Sequence, residues 1–127
     1  MASSWDTALK TKLTSIIDPG TAQYYGYSMD VDGYYAVISA LVESKVYVYE
    51  KNNGAWDVET ILVAPDETGN SFGCDVAISG DTIIVGARQY ENESEGDFSH
   101  TNTGAIYLYK RNDEGVRFGQ LMIDLNY

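Results

Sequence analysis

A chain of 127 residues with 8 basic and 19 acidic side chains carries a net charge of −11, which repels phosphate backbones and anionic lipid surfaces. We therefore expect neither nucleic acid nor an inserted membrane as a partner, and no stretch has the length of a membrane span or the pattern of a signal peptide. The single cysteine excludes an internal disulfide.

The first segment of the chain has apolar residues at spaced positions from Leu9 to Ile17. This spacing fits a helix as well as a strand. The segment precedes a repeated unit, however, just as the alternating residues 56–63 precede the next unit. We therefore predict an outer strand over residues 9–17, ended by a turn at Asp18-Pro19-Gly20.

A unit of sequence then occurs twice. Tyr25-Gly26 and Val37-Ile38-Ser39-Ala40 reappear 47 positions later as Phe72-Gly73 and Ile84-Val85-Gly86-Ala87. Val46-Tyr47-Val48-Tyr49 reappears 60 positions later as Ile106-Tyr107-Leu108-Tyr109, so the second unit holds 13 additional residues. Repeats of this length indicate a repeat architecture.

Each unit is predicted to form four antiparallel strands. Hairpins are expected at Asp32-Gly33 and Ser79-Gly80, because glycine accepts the positive φ of a two-residue turn. The third strand of each unit places aliphatic residues on one side and tyrosines on the other, and we expect these tyrosines between sheets with their hydroxyls at the rim. The predicted strands are 25–31, 36–38, 46–49 and 56–63 in the first unit and 72–78, 83–85, 106–109 and 116–124 in the second.

The second strand of each unit is a continuous apolar run, which implies protein on both faces of its sheet and favours propeller blades over a β-sandwich. We predict an all-β fold of two four-stranded antiparallel propeller-type blades plus one extra outer strand. The single unit 1–127 divides into the outer strand and turn (1–23), the first blade (24–63) and the second blade (64–127). Closed propellers need about four to eight blades, so the ring closes by oligomerisation, with a trimer favoured, or as part of a longer propeller.

The second unit resembles the FG-GAP repeat of integrin alpha-subunit propellers. The resemblance rests on Phe72-Gly73, the hairpin Gly80, Val85-Gly86-Ala87 and Gly104-Ala105-Ile106-Tyr107-Leu108-Tyr109, with a weaker copy beginning at Tyr25-Gly26. It implies propeller blades and an extracellular or cell-surface location. Integrin-type blades also hold calcium in a loop of spaced aspartates, but the hairpins here are too short to supply six to eight oxygen ligands, and we do not expect that site.

The 13 additional residues form the candidate binding loop. We expect this loop to lie beside residues 65–70, because both connections leave the same edge of a meander. Its four acids at alternate positions suit a basic partner or a cation, with Ca²⁺ as the one cofactor considered, and the alternative is a solvated insertion. The candidate ligand-binding residues are Tyr90, Glu91, Glu93, Glu95, Asp97, Phe98, Asp66 and Glu67, and Asn92 begins a glycosylation sequon.

Catalysis is not expected. No nucleophile and base pair or metal-ligand cluster stands out, and the only histidine, His100, lies in the same loop. Cys74 is expected to be a buried small apolar residue. We expect a non-catalytic binding or assembly module for protein–protein interaction or adhesion. The alternative is a lectin-like carbohydrate-binding propeller, in which the tyrosines of the third strands would stack on sugars if they were exposed.

Overall fold

The structure, a computed structural model, describes residues 6–8, 11–13, 24–64, 71–88 and 104–111, together with the backbone of 118–123. In these residues the strands form two four-stranded antiparallel sheets, each with its strands in chain order. Sheet 1 contains β1 (Tyr25–Asp32), β2 (Tyr35–Ala40), β3 (Lys45–Asn52) and β4 (Ala55–Val63). Sheet 2 contains β5 (Phe72–Ser79), β6 (Thr82–Ala87), β7 (Ala105–Arg111) and β8 (Phe118–Ile123).

The all-β class and the eight strands predicted in the two units are confirmed, but the extra outer strand over residues 9–17 is not. Residues 11–13, the part of that segment that the structure describes, form no strand. Leu13 instead packs against the cluster of Ala40, Tyr47 and Tyr49 on a face of sheet 1. A strand must pair with the hydrogen-bonding groups at a sheet edge, and contact with a sheet face does not offer them.

The β1–β2 and β5–β6 hairpins turn one residue later than predicted. Asp32 pairs with Tyr35 and Ser79 pairs with Thr82, so the two-residue loops are 33–34 and 80–81. Gly33 (φ 59°) stands first in its loop, and the glycine of the second hairpin has a similar φ of 55°. The glycines therefore take the positive φ for which they were singled out, while the residues before them remain in the ladder.

The first strand of each sheet, β1 or β5, contains an irregularity at the same place in the repeat. We call these two the inner strands. The register of β1 against β2 shifts between Tyr25 and Met29, and that of β5 against β6 shifts between Phe72 and Asp75. Gly26 and its equivalent 47 positions later each have a φ of 89°. A glycine at positive φ is typical of a bulge that bends and twists its strand.

The two faces of each sheet carry different side chains at equivalent positions. We call one the tyrosine face, which carries Tyr25, Tyr47 and Tyr49 in sheet 1 and Phe72, Tyr107 and Tyr109 in sheet 2. We call the other the aliphatic face, which carries Val37, Val46 and Val48 in sheet 1 and Ile84, Ile106 and Leu108 in sheet 2. The alternation of aliphatic and aromatic residues along β3 and β7 thus separates the two faces, as predicted.

The core of the molecule lies where the aliphatic face of sheet 1 packs on the tyrosine face of sheet 2. Val37 and Val48 are in one apolar cluster with Phe72 and Tyr107, all of them almost fully buried. The rings of Phe72 and Tyr107 meet edge to face, with centroids 5.3 Å apart and an angle of 72° between their planes. Each such apolar side chain contributes roughly 1.5–3 kcal/mol by leaving water, and an aromatic pair adds about 0.5–1.5 kcal/mol.

The two outer faces of this arrangement differ. On the tyrosine face of sheet 1, Tyr47 is fully buried and meets Tyr25 edge to face at 5.6 Å and 77°, which closely matches the Phe72–Tyr107 pair. The aliphatic face of sheet 2 is open, and Ile84 on it is 38% exposed. Within the described residues nothing covers this part of sheet 2, and the expectation that further protein lies on it stays a prediction.

Candidate binding surface

Several connections between strands begin and end on one edge of the two sheets, which we call the loop edge. In sheet 1, Lys45 at the start of β3 pairs with Ala40 at the end of β2 and with Val63 at the end of β4. In sheet 2, Ala87 at the end of β6 pairs with the first residues of β5 and β7. The strands that carry the 64–71 and 88–104 connections therefore end and begin at the loop edge, as the meander predicts.

The candidate ligand-binding residues lie within those two connections. Asp66, Glu67, Tyr90, Glu91, Glu93, Glu95, Asp97 and Phe98 are outside the described residues, as are Asn92 and His100. What the structure provides is the position of the strand ends that carry them. The binding role of these side chains therefore stays a prediction.

The described part of the loop edge exposes large apolar side chains and one acidic turn. Tyr24 is 63% exposed, and Val42 in the 41–44 turn is 54% exposed. The hydroxyl of Tyr47 donates a hydrogen bond of 2.7 Å to Oε2 of Glu43 in that turn. The expectation that a core tyrosine reaches the rim with its hydroxyl is confirmed for Tyr47. Glu43 was not singled out from the sequence, because its partner is set only by the β2–β3 pairing.

A row of hydrogen bonds joins the inner strands of the two sheets, and sequence analysis did not anticipate it. The hydroxyl of Ser28 accepts from the N–H of Val76 at 3.2 Å, and Oδ2 of Asp30 accepts from the N–H of Ile78 at 2.9 Å. In the same way, Oδ2 of Asp32 accepts from the N–H of Gly80 at 2.6 Å. Each acceptor lies 48 residues before its donor. Side chains of β1 thereby accept hydrogen bonds from two N–H groups of β5 and from Gly80 in the turn after it, and the N–H of Val76 also donates to Oδ1 of Asp75 at 3.0 Å.

A second polar contact joins the sheets near the edge opposite the loop edge. The guanidinium carbon of Arg111 in β7 lies 3.8 Å from the centroid of the Tyr35 ring in β2, a cation–π contact between the sheets. The Tyr35 hydroxyl donates to Oε1 of Glu50 at 3.3 Å. Burial raises the pKa of Glu59 and repulsion from Glu50 raises it further, while Arg111 opposes both. Among the described residues, the Arg111 guanidinium therefore offsets part of the repulsion that Glu59 experiences from Glu50.

Tyrosine hydroxyls inside the sheets show what burial does to a titratable group. Burial raises the pKa of Tyr109 to about 12, and its hydroxyl oxygen is enclosed with no hydrogen-bond partner among the described residues. Tyr49, at the equivalent place in sheet 1, shares a hydrogen bond of 2.6 Å with the hydroxyl of Tyr25. Burial and that hydrogen bond raise the pKa of Tyr25. Neither buried tyrosine is available to stack on a sugar.

The open aliphatic face of sheet 2 contains two adjoining shallow grooves. One is lined by Asp75, Ala77, Ile84 and Ile106, and the other extends past Cys74 and Arg88 towards the loop edge. Cys74 is half buried at this face. The expectation that it is a buried core residue is therefore wrong. The bulge at Gly73 carries Cys74 out of the alternation that would have turned it inwards.

The described residues contain neither a metal-ligand cluster nor a membrane-spanning helix. Among the side chains of 24–64, 71–88 and 104–111, no group of three His, Cys, Asp or Glu residues is placed to hold a metal ion. Nor does the described part of the chain contain a helix long and apolar enough to cross a bilayer.

Comparison with known proteins gives one family match. No curated protein matches the chain. The model of the FG-GAP repeat matches residues 56–109, which run from Trp56 in β4, the outer strand of sheet 1, to Tyr109 in β7 of sheet 2. The matched segment includes Phe72-Gly73 and Gly104-Ala105, the dipeptides that suggested the family. Residues 56–109 therefore carry an FG-GAP repeat, as their sequence predicted.

Proposed function

We propose that this chain is a non-catalytic binding module that presents the 64–71 and 88–104 connections from the loop edge of a propeller scaffold. The observation that carries the proposal is that the strands bearing both connections end on one edge of two sheets. Hydrogen bonds and an apolar cluster hold these sheets together. The FG-GAP repeat supports it, since that repeat suggests a propeller-type binding module in general. Long loops on a rigid β scaffold are common positions for binding residues.

Rigidity of the scaffold follows from two kinds of contact between the sheets. The inner strands are joined by the hydrogen bonds from Ser28, Asp30 and Asp32 to β5. Further out, the sheets share one buried apolar cluster, and Arg111 stacks on Tyr35. The strands at the loop edge are therefore already ordered before a ligand binds, so binding loses no conformational entropy in ordering them.

The ligand that best fits the loop is a basic segment of another protein. Glu91, Glu93, Glu95 and Asp97 occupy alternate positions of a chain whose net charge is already −11. Such a charge distribution raises the local concentration of cationic ligands and speeds their association. Interaction of this kind weakens with ionic strength, because exposed charges are screened over about 8–10 Å in physiological salt.

The test uses a fluorescent oligolysine peptide titrated with the full chain. Neutralising the loop by Glu91→Gln, Glu93→Gln, Glu95→Gln and Asp97→Asn is expected to weaken binding about tenfold or more. The matched control is Asp57→Asn, Asp81→Asn, Asp113→Asn and Glu114→Gln, which removes the same charge at positions outside the sequence of residues 88–104. Control binding within about twofold of the unchanged chain supports the proposal, and equal losses in the two variants overturn it.

Carbohydrate binding is the other function considered. It drew on the tyrosines of β3 and β7, and Tyr47, Tyr49, Tyr107 and Tyr109 are all at most 3% exposed. These rings therefore give the lectin alternative no support. A glycan array distinguishes the two functions, because a lectin would bind defined sugars with an affinity that the four loop substitutions need not change.

A further inference from the structure

The two outer faces of the molecule correspond, position by position, to the two faces that meet inside it. The buried interface joins the aliphatic face of sheet 1 to the tyrosine face of sheet 2. What remains is the aliphatic face of sheet 2 and the tyrosine face of sheet 1, which is the same pair of surfaces. We propose that a second copy of this chain docks its tyrosine face on the aliphatic face of sheet 2, repeating the internal interface head to tail. The proposal rests on the scaffold of the proposed function and names one of its partners.

The tyrosine face of sheet 1, which we call the docking face, has an aromatic pair with the same geometry as the pair in the internal interface. The rings of Tyr25 and Tyr47 meet edge to face, with centroids 5.6 Å apart and an interplanar angle of 77°. For Phe72 and Tyr107 the values are 5.3 Å and 72°. Phe72 is fully buried by sheet 1. Tyr25, at the equivalent position, is only partly buried. The same edge-to-face pair is therefore present in sheet 1, where Tyr47 is already buried and Tyr25 is the ring that is left partly exposed.

The inner strands show which part of that face is open. Within the chain, β5 is the strand of sheet 2 that approaches β1, β2 and β3. Its equivalent on the docking face is β1, where Met29 and Val31 are 61% and 60% exposed. Leu13 packs beside Tyr47 and Tyr49, on the β3 part of the face, and leaves the β1 part accessible. The exposed apolar residues of the docking face thus lie on β1, the strand equivalent to β5, and β5 is the strand of sheet 2 that makes the internal contact.

Close approach of the backbones is possible at both interfaces. A Cβ atom on Gly73 would lie 3.0 Å from the Cβ of Ser39, so the internal interface requires glycine at this bulge. The repeat places Gly26, with the same φ of 89°, and Gly86 at the corresponding positions of the outer faces. Two glycines would face each other there, which allows an approach at least as close as the internal one.

Hydrogen-bond acceptors on β5 are also where the contact needs them. Asp75 and Ser79 occupy the positions that Ser28 and Asp32 hold in sheet 1, 47 residues earlier. Oδ1 of Asp75 already accepts within the chain from the Ser28 hydroxyl at 3.2 Å and from the N–H of Val76 at 3.0 Å, so Oδ2 is the oxygen that would accept from the second copy. The position of Asp30 is taken by Ala77, which offers no side-chain acceptor. The N–H that would face Ala77 is that of Val31, and it already donates to Oδ1 of Asp30 at 2.9 Å. The docked interface therefore leaves no donor unsatisfied at the one position where the repeat lacks an acceptor.

A contact between two different faces is heterologous, so copies either close into a ring or continue as a polymer. Three copies supply six sheets, which lies within the four to eight of known propellers. We expect sedimentation velocity to show a closed species of about three times the mass of one chain. Cys74 lies in the groove that the second copy covers, and it is the only cysteine, so its rate of alkylation by iodoacetamide is expected to fall at least tenfold as protein concentration rises.

Two substitutions at exposed positions test the pairing of faces. Ile84→Glu blocks the aliphatic face of sheet 2, and Val31→Lys blocks the tyrosine face of sheet 1. Each variant alone is expected to be monomeric, but an equal mixture should form a dimer, because each variant keeps the face that the other has lost. Val42→Lys, in the turn at the loop edge, is the control and should assemble like the unchanged chain.

A monomer at every concentration, with Cys74 alkylated at a constant rate, overturns the inference. So does a symmetric dimer that either single variant abolishes and that mixing does not restore. Unchanged circular dichroism of the variants excludes misfolding as the cause. Binding of oligolysine is measured on the same samples, so a monomer that still binds the peptide contradicts the assembly and leaves the proposed function standing.

Discussion

The N–H of Ile78 donates a hydrogen bond of 2.9 Å to Oδ2 of Asp30, 48 residues earlier in the chain. Oδ1 of the same carboxylate accepts from the N–H of Val31 at 2.9 Å. One aspartate therefore satisfies a donor on its own strand and a donor on the inner strand of the other sheet. It is one of three side chains of β1 that link the two sheets by hydrogen bonds, beside the apolar cluster that the sheets share.

Removing this carboxylate should separate the inner strands. Asp30→Ala is expected to lower the free energy of unfolding by about 1.5–3 kcal/mol, the range for a hydrogen bond to a charged group. Urea denaturation measures the change. Asp57→Ala, at an exposed position of β4, is the control and should stay within about 0.5 kcal/mol of the unchanged chain. Similar losses in the two variants would show that Asp30 does not join the sheets.

The glycines of the two bulges allow a matched comparison of steric cost. Gly26 and Gly73 share a φ of 89°, so alanine is strained at either position. Only at Gly73 would the new Cβ also lie 3.0 Å from another atom, the Cβ of Ser39. The nearest atom to a Cβ on Gly26 is the Cε of Met29 at 3.8 Å, at the end of a flexible side chain.

We therefore expect Gly73→Ala to destabilise the chain by at least about 1 kcal/mol more than Gly26→Ala, since overpacking typically costs about 1–3 kcal/mol. Thermal unfolding at low protein concentration measures both variants without a contribution from self-association. Equal melting temperatures would mean that the sheets separate enough at Gly73 to accept a methyl group.

Tyr49 and Tyr109 occupy equivalent positions but differ in hydrogen bonding. The Tyr109 hydroxyl is enclosed without a partner, whereas the Tyr49 hydroxyl is bonded to Tyr25. Tyr109→Phe is expected to leave stability unchanged or to raise it by up to about 1–3 kcal/mol, because a buried unsatisfied group is removed. Tyr49→Phe should lower it by about 0.5–1.5 kcal/mol. Chemical denaturation compares the two, and a reversed order would contradict the hydrogen-bond assignment.

The charge of Glu59 predicts a specific pH dependence. Its pKa is raised in the folded chain by burial and by Glu50, so the folded state binds the proton more tightly than the unfolded state. The stability linked to this group is therefore fully present below its unfolded pKa and is lost as pH rises through the folded pKa. Glu59→Gln is expected to raise the melting temperature at neutral pH, with a gain that shrinks as pH falls through the folded pKa of Glu59 and is gone at the unfolded pKa of about 4.

Asp57→Asn is the matched control for that measurement, because it removes one carboxylate from the same strand at an exposed position. Its effect on melting temperature should be small at both pH values. A gain from Glu59→Gln that stayed constant with pH would show that burial of this carboxylate does not oppose its ionisation.

Local pattern was enough to predict most of the secondary structure. The alternation in β3 and β7 separates tyrosines from aliphatic residues, and this spacing reports directly on which side chains share a face. The repeat at 47 and 60 positions likewise indicated two equivalent units, and the dipeptides Phe72-Gly73 and Gly104-Ala105 indicated the family. These features depend only on the spacing of residues within a strand or on the similarity of two segments. Both can be read directly from the sequence.

Tertiary structure decided how the two units meet and what they leave open. No local pattern says that Asp30 bonds the N–H of Ile78, because that contact depends on how one sheet is rotated against the other. Burial of Tyr107 beside exposure of Ile84 has the same origin, since a sheet face is covered only if another sheet lies on it. The sequence by itself determined the strands, their faces and their repetition. The packing of one sheet on the other decided which faces became core, because burial is a property of the pair and not of either strand.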